Sequence, residues 1–256
     1  MSFLDAIILG FVEGATEFLP ISSTGHMVLV HSLLGHSPTE FTKSFEIIIQ
    51  MGAILAVLSL YWRSFLDVEK VKRIIVAFIP TGIIGLALYG VVKTYLLESP
   101  LIVVWALFLG GIVLIIFEYF HSKHPEDELM EKPMTYQNAL LIGVFQSLAI
   151  IPGVSRSAAT ILGGLALGFS RTSIVEFSFL LAVPTMLAAT GLDLLKTSAS
   201  FTGNEILMLA IGFVISFIVA LASIKWLLAF VRTNTFIPFG IYRLAAALLF
   251  FIFVMW

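Results

Sequence analysis

Glu13 to His26 reads EGATEFLPISSTGH, and Ile151 to Ser157 reads IPGVSRS. Each of these polar runs cuts a stretch that is otherwise apolar, residues 3–35 in the first case and 137–168 in the second. Proline ends a helix just before itself, and the Ser or Thr that follows can cap the next helix. Each stretch therefore reads as two half-length helices around a polar turn. Backbone of that kind cannot face lipid and must be buried in protein or line a wet cavity. The two stretches are expected to form re-entrant helical hairpins.

Working outward, six further stretches read as unbroken spans: Phe45 to Trp62, Ile74 to Val92, Leu101 to Tyr119, Ile174 to Leu195, Ile206 to Leu228 and Phe236 to Trp256. A helix crossing the hydrocarbon core needs about 20 apolar residues. The whole composition agrees: 59% of the 256 residues are hydrophobic, 12% are charged, and the mean hydropathy is +1.06. That excludes a soluble globule, for which about a quarter of residues carry charge. The net charge of −2 gives no reason to expect a nucleic-acid partner, and the lack of cysteine excludes disulfides, thiol catalysis and thiolate-bound metal.

The two halves resemble each other. ILGFVEGATEFLPISST aligns with LIGVFQSLAIIPGVSRS, setting Gly10 over Gly143 and Glu13 over Gln146, with a one-residue slip at the prolines. FEIIIQMGAILAV (Phe45 to Val57) aligns in turn with FSFLLAVPTMLAA (Phe177 to Ala189). Each half is then a hairpin plus three spans, and three is odd, so the second half lies inverted in the membrane. Paired broken helices in inverted repeats build a site near mid-depth. The expected fold is an all-α polytopic membrane protein with inverted-topology repeats, six transmembrane helices and two re-entrant helical hairpins. Residues 1–122 form the first repeat, 123–136 a cytoplasmic linker and 137–256 the second repeat.

Loop cations set the orientation. Arg63, Lys70, Lys72, Arg73, Lys123, Lys132, Arg171, Lys225 and Arg232 fall on one side, against Lys43, Lys93 and Lys196 on the other. Nine against three puts the first side, including the acidic loop His124 to Lys132, in the cytoplasm and both termini outside it.

Ionisable groups at membrane depth are costly and are functional candidates by default. Glu13 and Glu17, four apart, share one helix face, where two carboxylates share a proton or hold a cation. Ser22, Ser23, Thr24 and Gly25 open the second half-helix, and free N–H groups at a helix start receive anions. His26, in the first turn beyond them, is a candidate proton carrier. The second turn offers Ser155, Arg156, Ser157 and Thr160, with a guanidinium whose fork suits phosphate oxygens. Together the tips hold acids, hydroxyls, a His and an Arg, a set suited to phosphoryl transfer. Glu46 and Glu176, near span starts, are expected to snorkel or to support the hairpins and not to take part in catalysis. Arg243, beside Tyr242, is expected to meet a lipid phosphate or a carboxylate. Gly163, Gly164 and Gly168 are expected to allow close helix packing.

The motifs EGATEFLPISSTGH and PGVSRSAAT closely resemble the two signatures of the undecaprenyl-diphosphate phosphatase family of the bacitracin-resistance type, and the likeness extends through EFSFLLAVP and FIPFGIYR. The resemblance implies an integral-membrane hydrolase that removes the terminal phosphate of undecaprenyl diphosphate, in the bacterial cytoplasmic (inner) membrane, and confers bacitracin resistance. It implies Glu17, Ser23, His26 and Arg156 as catalytic residues, with Ser23 the nucleophile. It also implies a divalent cation, Mg2+ or Ca2+, on Glu13 and Glu17. Ser22, Thr24, Gly25, Ser155, Ser157 and Thr160 are the expected phosphate-binding positions. The expected partners are the polyprenyl diphosphate, membrane lipid and a second copy of the chain in a homodimer. Broken helices in inverted repeats are also transporter architecture, so a polyprenyl-phosphate flippase or an anion carrier is the rival class.

Overall fold

A computed structural model describes residues 1–35, 39–96, 99–121, 133–194 and 201–255. Among these the secondary structure is helical throughout. In chain order the helices are α1 (Phe3–Thr16), α2 (Ser23–Leu33), α3 (Glu40–Tyr61), α4 (Val68–Val91), α5 (Pro100–His121), α6 (Tyr136–Ser147), α7 (Arg156–Ala166), α8 (Arg171–Leu194), α9 (Gly203–Val231) and α10 (Ile237–Met255). The first stretch cut by proline is the broken pair α1 and α2, and the second is α6 and α7.

Helix starts follow from side chains that satisfy the first free N–H groups. Ser2 and Asp5 form a reciprocal box at α1, and Thr202 and Glu205 form another at α9. The Asp67 carboxylate accepts from the N–H groups of Glu69 and Lys70 at the start of α4, and the Thr135 hydroxyl from Asn138 at α6. The half-helices α2 and α7 are capped alike: the Ser22 hydroxyl accepts from the Gly25 N–H at 3.4 Å, and that of Ser155 from Ala158 at 3.2 Å. Ser22 stands to Ser155 at the same spacing as Gly10 to Gly143 and Glu13 to Gln146. The slip at the prolines thus closes again at the caps.

Among the described residues five helices are long and apolar enough to cross a membrane: Glu40–Leu66, Val68–Val91, Pro100–His121, Arg171–Gly191 and Gly203–Val231. The stretch expected to be the sixth span contains the shorter apolar helix Ile237–Phe253. The coarse result is a polytopic, all-helical membrane protein.

The broken helices are gripped across the chain. α1 packs on α9 and α6 packs on α4, while α3 lies against α8 and α5 against α10. Small residues bring the backbones together. A Cβ on Gly10 would stand 2.6 Å from the Gly212 carbonyl oxygen, one on Gly14 would stand 2.5 Å from that of Ser216, and one on Gly143 would collide with the Ala77 carbonyl. The Ser216 hydroxyl donates to the Ile49 carbonyl at 2.7 Å, tying α9 to α3. Gly163 and Gly164 pack closely, against Phe145 and Ile174. Gly168 does not: a Cβ there would meet open space, and its φ of 83° serves to end α7.

Two cations depart from expectation. Arg171, counted among the loop cations, is buried in a two-pronged ion pair with Glu118, donating through Nε at 3.1 Å and Nη2 at 2.8 Å. Glu118 also accepts from the Phe236 N–H at 3.1 Å, joining α5, α8 and the entry to α10. Arg243, expected to meet a lipid phosphate or a carboxylate, instead donates to backbone carbonyls. It is completely buried, and only carbonyl oxygens come within reach among the described residues. The acidic loop and its cations Lys123 and Lys132, with Lys196, lie outside the described residues.

Candidate active site

Glu17, at the end of α1, is the centre on which both turns converge. Its Oε2 accepts from the Ser23 hydroxyl at 2.5 Å, and its Oε1 accepts from Arg156 Nη2 at 3.1 Å. Arg156 also donates through Nη2 to the Glu17 carbonyl at 3.4 Å and through Nη1 to the Ser178 carbonyl on α8 at 2.9 Å. Its guanidinium lies 5.7 Å from the centre of the Phe18 ring. The pair is nearly sealed from solvent, with side chains 12% and 8% exposed for Arg156 and Glu17. A half-helix start in one hairpin is therefore joined, through a carboxylate, to a half-helix start in the other.

These groups sit in the wall of a cavity of about 880 Å³. Glu17, Ser22, Ser23, Thr24, Ser155 and Arg156 line one part of it. Gln50, Thr81, Gln146 and Thr185 form a second polar part. The rest is apolar, from Phe78, Ile79, Ile83 and Leu86 on α4 and Met186 and Leu187 on α8. Ile83 and Leu86 are themselves exposed on the outer surface, so apolar wall continues from the cavity to the face that lipid covers. The hydroxyls of Ser22, Ser23 and Thr24, the Arg156 guanidinium and the first N–H groups of α2 and α7 can receive an anionic headgroup, and the apolar wall a chain attached to it.

The other expected site residues are placed differently. Gly25 lends its N–H to the Ser22 cap. Ser157 donates to the Leu19 carbonyl at 2.7 Å, across the two turns, and Thr160 donates to the Arg156 carbonyl at 2.8 Å. Neither side chain is part of the cavity wall. His26 is buried behind it: Nδ1 lies 2.7 Å from the Ser22 carbonyl oxygen and Nε2 2.7 Å from the Tyr242 hydroxyl. Both ring nitrogens are thus engaged, and Ser23 gives its proton to a carboxylate instead. Glu46 supports the first hairpin as expected, 2.8 Å from His31 Nε2 on α2. Glu176 lines a separate cavity with Lys70 and Arg73.

Glu13 lies one turn before Glu17, fully buried, and its Oε1 has no hydrogen-bond partner among the described residues. A buried acid beside a second acid requires a positive neighbour or a shared proton. The donor chemistry is all oxygen, which suits a hard divalent cation whose remaining ligands are phosphate oxygens and water. Among the described residues no group of three His, Asp or Glu side chains gathers around one point.

Two residues escaped sequence reading. Gln146 is buried in the cavity wall, its Nε2 donating to Thr81 at 2.9 Å and Thr185 at 3.1 Å. Its alignment with Glu13 was the available signal. Tyr242 stands in FIPFGIYR beside Arg243, but its pairing with His26, 216 positions away along the chain, has no local signal.

Together the fold and the site define a multi-pass helical membrane protein with an anion-receptive centre between two broken-helix turns. The family described as "Bacitracin resistance protein BacA" matches residues 6–249, and the chain belongs to that family. Similar proteins named "Undecaprenyl-diphosphatase" include that of Sulfurihydrogenibium sp. (strain YO3AOP1), 53% identical over 252 residues covering 98% of this chain and 99% of the relative. Those of Aquifex aeolicus (strain VF5) and Persephonella marina (strain DSM 14350 / EX-H1) are each 50% identical, over 98% and 100% of both chains respectively.

Proposed function

We propose that this protein is an undecaprenyl-diphosphate phosphatase, removing the terminal phosphate of undecaprenyl diphosphate to give undecaprenyl phosphate, the lipid carrier of cell-wall synthesis, and free phosphate. The observation that carries the reading is the Ser23–Glu17–Arg156 chain spanning both turns at the wall of a partly apolar cavity. Near-complete coverage of relatives that bear the activity in their names supports it.

In the proposed reaction Ser23 Oγ attacks the terminal phosphorus while Glu17 takes the hydroxyl proton. The bond from phosphorus to the bridging oxygen breaks, and undecaprenyl phosphate leaves with the bond's electron pair. Arg156 and the first N–H groups of α7 hold the charge that grows on the transferred group. Water then attacks the phosphoserine phosphorus, the bond to Ser23 Oγ breaks with its electron pair, Oγ takes back the proton from Glu17, and phosphate leaves with the oxygen and protons of the water. Glu13, with Glu17 beside it, would hold a divalent cation, magnesium or calcium, against the diphosphate. When bound, such a cation neutralises phosphate charge and polarises the bond that breaks.

The layout we infer is an inverted repeat, residues 1–122 and 137–256, in the bacterial inner membrane with both termini outside the cytoplasm. It is supported by the reciprocal packing of α1 on α9 and α6 on α4 and by the matched caps Ser22 and Ser155. The same reciprocity favours a second reading, a carrier of polyprenyl phosphate. Purified protein incubated with polyprenyl diphosphate and a divalent cation separates the two. Released phosphate supports the hydrolase, and binding without release supports the carrier.

A further inference from the structure

Backbone strain marks both turns. Among the described residues, Ser22 and Ser155 are the non-glycine residues with positive φ, at 70° and 76°. Such conformations are costly and persist only where the surroundings over-determine them. Both are held from α10, and by adjacent residues.

Tyr242 acts on the first turn through His26. The Ser22 carbonyl, which also accepts from the His26 backbone N–H, can only accept, so the His26 proton sits on Nδ1, and in the neutral ring Nε2 accepts from the Tyr242 hydroxyl. The two rings lie parallel, 4° apart in plane, with centres 5.5 Å apart. This relay fixes the carbonyl of one strained serine.

Arg243 acts on both turns at once. Its Nε donates to the Leu107 carbonyl at 3.3 Å. Nη1 donates to Pro20 at 3.3 Å and Val154 at 2.9 Å, and Nη2 to Ala106 at 2.9 Å and Gly153 at 3.0 Å. A guanidinium has five N–H donors, and all five are used. Gly110 leaves the room for it, since a Cβ there would collide with Nη2. In a planar trans peptide the C=O and the following N–H point opposite ways. With the Val154 carbonyl drawn to Arg243, the Ser155 N–H is turned away from Arg243, and Ser155 and Arg156 both line the cavity. The first N–H groups of α7, which have no acceptor within the helix, continue that row.

We propose that Tyr242 and Arg243 are positioning residues for the hydrolysis: from α10 they hold the carbonyls of both turns, so that the N–H groups at the starts of α2 and α7 are offered to the diphosphate, while those of Ile21 and Val154 stay bonded within the turns. The proposal rests on the phosphatase reading for its substrate, while the geometry it explains is that of an anion cradle. Lysine cannot replace Arg243, because three donors cannot serve five carbonyls.

The test compares Arg243→Lys and Tyr242→Phe with the unmodified protein, all purified in one detergent, and uses Glu118→Gln as a control that weakens the fold away from the turns. Two quantities are read well below each protein's Tm: kcat and KM for phosphate release from polyprenyl diphosphate, and the affinity for inorganic pyrophosphate from its effect on Tm. Misplacing a reacting group by about 1 Å costs about a hundredfold in rate. Arg243→Lys should therefore lose about a hundredfold in kcat and bind pyrophosphate about tenfold more weakly. Tyr242→Phe should lose about tenfold in kcat at little change in Tm, and Glu118→Gln should lower Tm with kcat kept. If Arg243→Lys does not fold, Tyr242→Phe decides. A kcat within twofold of the unmodified value in the folded variants, or a loss that tracks Tm as in Glu118→Gln, overturns the proposal. Should the unmodified protein bind pyrophosphate without releasing phosphate, the phosphatase reading fails, and loss of that binding in the variants still supports the cradle.

Discussion

Replacing Glu17 by Gln removes a charge and a base while keeping size and shape. In the native site one oxygen of Glu17 accepts from Ser23 at 2.5 Å and the other from Arg156 at 3.1 Å. A glutamine has one acceptor and one donor end. Its oxygen must face Arg156, which can only donate, so its NH2 faces Ser23 and turns the hydroxyl proton away. The nucleophile then has no base. Loss of general-base assistance costs about 10²–10⁴ in rate, or about 3–5 kcal/mol of barrier. The fold suffers less, because Arg156 keeps the Ser178 carbonyl and gains the amide oxygen. One weakened charged hydrogen bond costs about 1–3 kcal/mol. The assay is phosphate release from polyprenyl diphosphate at saturating substrate, with folded protein measured by size-exclusion chromatography. Glu17→Gln that keeps more than about a tenth of the native kcat refutes the assignment of Glu17 as base. The proton acceptor would then have to be sought at His26.

Other outcomes follow from the same contacts. Arg156→Lys cannot reach both the Ser178 carbonyl and Glu17, and should lose about 10²–10³ in kcat with a raised KM in the same assay. Gly143→Ala drives a methyl group into the Ala77 carbonyl and should destabilise the α4–α6 contact by about 1–3 kcal/mol, read as a lower Tm in detergent. Glu118→Gln leaves the buried Arg171 without its counter-charge and should cost about 3–5 kcal/mol of stability. Denaturant titration would check that value. Because the chain has no cysteine, a single Cys placed between His124 and Lys132 should react with an impermeant reagent only after the membrane is permeabilised. Labelling in intact cells would reverse the orientation.

The hairpins were legible because their signals are local. Pro20 and Pro152 lie in the turns that follow α1 and α6, and Ser22 and Ser155 cap the next helices within a few residues. The link from Glu17 to Arg156 is half legible: both stand out as charges at membrane depth, but nothing in the sequence says which acid the arginine meets. Chemistry carried by backbone was invisible. Arg243 satisfies five carbonyls from three separate segments, and a carbonyl has no letter in the sequence. His26 read as a proton carrier because Ser23 is its close neighbour in sequence, whereas its ring is bound by Tyr242 from the far end of the chain. Charge counting treats every cation near a span alike and so places Arg171 in a loop. Its buried partner Glu118 lay inside a run that reads as pure span.

The central claim is that Ser23, driven by Glu17, carries out hydrolysis of a lipid diphosphate. Purified protein mixed with polyprenyl diphosphate radiolabelled in its terminal phosphate, quenched in acid within a turnover and digested, tests it most directly. Label on the peptide that contains Ser23, followed by its release as inorganic phosphate and absent in Ser23→Ala, is the result expected. Phosphate released at an undiminished rate by Ser23→Ala, or no release from the unmodified protein with either magnesium or calcium, contradicts the account.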